Sequence, residues 1–121
     1  MPSFANPFAG NVDRKISKPE LIQALRIDIA GELEAIFLYE SHALATDDPL
    51  VKKVLMDIRD EEKEHCGELY KLMRYLDPDL ADLMMEGEGE VKEMMAELGI
   101  EDKEEALNEP SPASVGSLLE E

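Results

Sequence analysis

The stretch DEEKEHCGELY, residues 60–70, carries five acidic residues, one lysine and one of the chain's two histidines in what reads as continuous helix. Its position decides the fold, because Glu62 and His65 fall within an apolar stripe rather than on a charged face. Read outward, that stripe runs Val51, Leu55, Ile58, Glu62, His65, Leu69, Leu72 and Leu76 in steps of four and three, the spacing of a helix packed against other helices. Glu61, Glu64 and Glu68 fall off it, where solvated surface beside Lys63 and Lys71 is the simpler reading. A second stripe precedes it: Ile22, Leu25, Ile29, Glu32, Ile36, Tyr39 and Ala43 recur with the same alternation, with Glu32 as the charged member.

Local signals bound both helices. Ser17 with Glu20 forms a capping box around Pro19, and TDDP at 46–49 ends the first helix and caps the second, with Pro49 in its first turn. The run DPD at Asp77–Asp79 closes the second helix and opens a short one through Met85. GEG at Gly87–Gly89 reads as a hinge before a fourth short helix over Glu90–Leu98, stopped by a left-handed cap at Gly99. Residues 1–16 form an irregular N-terminal arm, 17–107 a single helical domain, and 108–121, rich in Pro and Ser, a flexible tail. There is no strand pattern, and the fold class is all-α.

Two helices joined by a short turn run antiparallel. With residue 47 as the turn, Glu32 lies fifteen residues before it and Glu62 fifteen after, so at ~1.5 Å rise per residue the two stand at the same height. His65 follows Glu62 by three positions and shares its face. Three ionisable groups at one level of an apolar seam are costly to bury without a cation; the competing reading is a Glu–His pair that locks register. Di-iron carboxylate bundles use a Glu from each of two helices and a Glu-x-x-His from each of two others. This chain supplies one of each, and His42 lies off the seam, so the simplest completion is a two-fold dimer of hairpins that share a two-metal site.

Twelve basic against twenty-nine acidic residues give a formal charge of −17, which argues against nucleic acid and anionic membranes as partners. No apolar run approaches the ~18 residues of a membrane span. A single cysteine, Cys66, and an arm without an apolar signal core point to a cytoplasmic protein. Cys66 reads as a small buried residue, and Met84, Met85, Met94 and Met95 as packing against a neighbouring subunit.

The segments ELEAIFLYE and DEEKEH resemble those of the encapsulated ferritins, a branch of the ferritin-like superfamily, over roughly residues 17–76. The resemblance implies a ferritin-like four-helix bundle completed by dimerisation, with Glu32, Glu62 and His65 as iron ligands at the dimer interface and Tyr39 beside them. It further implies an acidic approach for metal next to Glu32; Glu34 is retained there, while Gly31 stands at the other position. SVGSLL at 114–119 is similar to peptides that load cargo into encapsulin shells. The function so implied is a ferroxidase converting Fe(II) to Fe(III), arranged as a ring-shaped decamer inside an encapsulin nanocompartment. The alternative is a non-catalytic helical assembly or adaptor in which the cluster holds Zn or Ca. A rubrerythrin-like peroxidase would need a second electron-transfer centre, for which the cysteine content offers no ligands.

Overall fold

The computed structural model describes residues 13–104, and within them three helices: α1 (Lys18–Leu44), α2 (Pro49–Leu76) and α3 (Pro78–Glu97). Most of the expected arm and all of the expected 108–121 tail lie outside the described residues. Among the described residues there is no strand, and no helix is long and apolar enough to cross a membrane.

Helices α1 and α2 begin where their caps dictate. The Ser17 hydroxyl accepts from the Glu20 backbone N–H at 3.3 Å while the Glu20 carboxylate accepts from the Ser17 N–H at 3.1 Å. Arg14 donates to the same carboxylate at 2.6 Å. That contact, with the Ser17 donors, holds the Glu20 carboxyl well below its ordinary value, at about 2. At the turn, Asp48 accepts from the N–H groups of Leu50 and Val51 at 3.0 and 3.1 Å, satisfying two donors that a helix start otherwise leaves free. Pro78 then ends α2, since the residue before a proline is pushed out of helical geometry: Asp77 sits at φ −132°, ψ 88°.

Leu25 and Ile29 of α1 pack with Met73 of α2, ringed by Leu69, Tyr70, Leu76 and the first-turn Leu80 of α3. The first helix turns the expected face to its partner: Leu25, Ile29 and Ala43 are buried, with Ile22, Glu32, Ile36 and Tyr39 half-buried on the same side. The second is rotated from the expected seam. Cys66 and Met73 are buried, whereas His65, Leu72 and Val51 are exposed, so α2 meets α1 along Leu55, Arg59, Glu62, Cys66, Leu69, Met73 and Leu76. The cause is the width of the apolar stripe on α2, which is enough for two neighbours. Within one hairpin only the flank with slim Cys66 and adaptable Met73 closes onto α1. Val54 and Leu72 on the other flank, and Leu33, Phe37 and Leu44 on α1, stay exposed.

The chain divides into two compact units between Ala81 and Asp82. In the second, α3 continues unbroken to Glu97, in place of two short helices around a hinge at Gly87–Gly89. A glycine costs a helix only about 1 kcal/mol relative to alanine, and these two stand among Met, Glu, Val and Lys, most of them strong helix formers. The expected stop at Gly99 is present: its φ of +73° is left-handed, and the N–H groups of Gly99 and Ile100 bond Ala96 and Met95, a Schellman turn.

Replacing Asp48 by Ala is expected to lower stability by about 1 kcal/mol in denaturant unfolding, with unchanged slope. A carboxyl titration followed by NMR should place Glu20 well below 4.5, near 2. Because its folded value is depressed, the capping contribution is complete above 4.5 and fades as pH falls through about 2. An ordinary midpoint would show that the Arg14–Glu20 contact does not form in solution.

Candidate metal centre

Midway along the hairpin the core gives way to polar groups. Glu32 reaches from α1 and Glu62 and His65 from α2, one turn apart and therefore on one side of that helix. Nδ1 of His65 lies 3.4 Å from Oε2 of Glu62 and 3.6 Å from Oε2 of Glu32, and one donor atom of each residue lies within 4.8 Å of the others. The hairpin thus brings together Glu32 and Glu62, paired by their height from the turn, and His65, placed by its three-residue spacing from Glu62.

The spacing suits an ion. Carboxylate oxygens and imidazole nitrogens bind divalent metals at about 2.0–2.2 Å, so two donors on one ion at tetrahedral or octahedral angles stand roughly 3–3.6 Å apart. The two His65–carboxylate separations fall in that range. Two carboxylates supply the negative charge that a cation offsets and that would otherwise be left in mutual repulsion. The Glu/Glu/His cluster is thus compatible with metal binding. Three protein donors leave coordination positions open. The opening faces outward: the side chains of Glu62 and Glu32 are 17% and 26% exposed but His65 is 47% exposed, on the same uncovered flank of α2 as Val54 and Leu72.

Tyr39 is half-buried two turns along α1 from Glu32, and Glu34 is half-buried on another face of that helix, outside the three clustered donors. His42 is exposed near the turn, and Glu61, Glu64 and Glu68 are exposed on the outside of α2. Cys66 is buried as expected; desolvation pushes its thiol up, and the charge of Glu62 adds to the effect.

One residue escaped the sequence reading. Arg59, one turn before Glu62, has a side chain only 17% exposed, donates from Nη1 to Glu40 of α1 at 3.0 Å and holds Asp60 with Nε and Nη2 at 3.1 and 2.9 Å. A 55–59–62–66 stepping along α2 would have found it; the aliphatic Ile58 beside it drew the stripe one residue aside.

Comparison with known proteins places this geometry. The family model described as ubiquinone biosynthesis protein COQ7 matches residues 19–97. A ferritin-like-encapsulin shell fusion protein of Pyrococcus furiosus is 43% identical over 89 residues, covering 74% of this chain and 26% of its own. The encapsulin nanocompartment cargo protein EncC of Myxococcus xanthus is 42% identical over 76 residues, covering 63% of this chain and 58% of its own. The chain thus spans from about a quarter to under three-fifths of these curated relatives. The crystal structure of the encapsulated ferritin domain from Pyrococcus furiosus superposes with a TM-score of 0.70 at 42% identity, over 80% of this chain and 96% of that domain. A likeness of that depth across nearly a whole solved domain settles kinship: the chain belongs to the ferritin-like proteins that the family model covers and, among them, to the encapsulated ferritins.

Proposed function

We propose that the chain is a ferroxidase, oxidising Fe(II) to Fe(III) at a two-iron site built from Glu32, Glu62 and His65 of two subunits, as the cargo of an encapsulin compartment that stores the iron. The observation that carries this reading is the triad itself, three donors at ion-ligand spacing that amount to half of a two-metal carboxylate set. The exposed apolar flank of α2 that carries His65 supports the other half: a second copy covering it by two-fold symmetry would bring its own triad against the first. A ring-shaped decamer would then be built from such dimers. The cargo role is supported by relatives named as encapsulin cargo and as a shell fusion.

Iron is the substrate here, and the chain's part is to hold it. Anionic oxygens favour the higher charge of Fe(III), which makes electron loss to dioxygen or peroxide more favourable. Glu32 and Glu62 supply those oxygens, and one of them bridging would keep two ions close enough to give up an electron pair together. His65 supplies a nitrogen donor and directs the ion to the subunit boundary. Tyr39, on the same α1 face, would orient a ligand from behind, and Glu34 would attract incoming Fe(II).

Glu32→Ala, Glu62→Ala and His65→Ala are each expected to slow aerobic Fe(III) formation at least about tenfold with helical circular dichroism unchanged, since each removes two ligands from a two-fold site. Zn(II), which binds N/O donors more tightly than Fe(II), should inhibit the wild-type protein. Iron bound by the wild type but oxidised no faster than in buffer would instead favour a metal-stabilised adaptor. Deleting 114–121, which removes the SVGSLL motif, should abolish co-purification with an encapsulin shell while oxidation continues. Full loading of the truncated chain would refute the targeting role.

A further inference from the structure

The triad is tied on two sides by different means. Away from the turn, Leu25 and Ile29 packed with Met73 fix how α1 and α2 meet. Toward the turn, a charged contact crosses the hairpin instead: Nη1 of Arg59 to Oε1 of Glu40 at 3.0 Å. The guanidinium is braced from its other edge by Asp60 at 2.9 Å, and Asp60 in turn has Lys63 at 3.9 Å. Glu40 lies two turns beyond Glu32 on α1, and Arg59 one turn before Glu62 on α2. The Arg59–Glu40 pair and the His65–Glu32 contact, both of which cross from α2 to α1, are therefore neighbours along the hairpin.

From this geometry we infer that the Arg59–Glu40 pair is a positioning element, setting the depth and rotation of α2 against α1 so that Glu62 and His65 face Glu32 at ligand spacing before a metal arrives. The inference rests on the proposed metal role of the triad. A slip of α2 by one residue shifts its side chains ~1.5 Å along the axis and ~100° around it, while metal–ligand distances tolerate only about 0.2 Å. The apolar stripe of α2 does not guard against that error, because it presents adjacent flanks, Cys66/Met73 and His65/Leu72, either of which could close onto α1. A planar guanidinium fork held by carboxylates on two sides fits one rotation only, and a lysine cannot reproduce that fork. Glu40 is 47% exposed, so the pair's worth to overall stability is small, and its effect belongs to geometry.

The test is anaerobic Fe(II) titration by calorimetry on the full chain, with Arg59→Gln, Glu40→Gln, the double variant and Arg59→Lys. Each single Gln variant should weaken Fe(II) binding on the order of tenfold, and the double variant no more than either one, since both break a single contact. Arg59→Lys should recover part of the loss. The melting temperature of the metal-free protein should barely change in Glu40→Gln, which separates positioning from simple stabilisation. Should Arg59→Gln fold poorly, Glu40→Gln carries the test alone. Wild-type affinity in Glu40→Gln, or losses that add fully in the double variant, overturn the inference. If wild-type binding is intact and Glu62→Ala abolishes it, that failure touches Arg59 alone; if Glu62→Ala changes nothing, the metal site and the inference fall together.

Discussion

Two carboxylates and an imidazole meeting between two helices is the constraint on which the rest of this structure turns. In an apolar seam those positions would ordinarily be leucine or isoleucine; carboxylates there repel each other and lose hydration, a cost that a shared cation or a protonated partner offsets. At separations of 3.4 and 3.6 Å, Glu62, His65 and Glu32 are close enough for one ion to hold all three. The hairpin has to bring them there without the help of close aliphatic packing at that level. It does so by placing its apolar cluster at one end, around Leu25, Ile29 and Met73, and an Arg59–Glu40 bridge toward the other.

The same constraint accounts for what the single chain leaves uncovered. A hairpin can bury one stripe per helix, yet α2 carries apolar residues on two flanks and α1 adds Leu33, Phe37 and Leu44 outside the seam. Apolar surface of that extent ordinarily marks association. Since His65 lies on one of these flanks, association and completion of the ligand set become one event in the proposed dimer. The excess of acidic residues draws cations toward the chain while discouraging contact with polyanions.

Much of this was legible in the sequence where the governing physics is local. Ser17, Asp48 and the prolines beside them mark helix starts because caps satisfy backbone donors within three residues. Glu32 and Glu62 could be paired by counting from the turn, because helix rise is constant and the connection is short. The rotation of α2 could not be read, since Ile58, His65 and Leu72 are as periodic as Arg59, Cys66 and Met73, and packing against α1 chooses between them. GEG misled for a different reason: glycine is weak punctuation, and open space around Gly87 and Gly89 in a run of helix formers lets α3 continue. The metal-approach role of Glu34 came from resemblance alone, and Glu34 lies outside the three clustered donors.

The most direct test of the account is anomalous diffraction at the iron absorption edge from crystals exposed to Fe(II) without oxygen. Peaks are expected among the Glu32 and Glu62 carboxylates and the His65 ring, paired across a two-fold contact between copies of the chain. Iron bound elsewhere, with no peak at the triad, would contradict it.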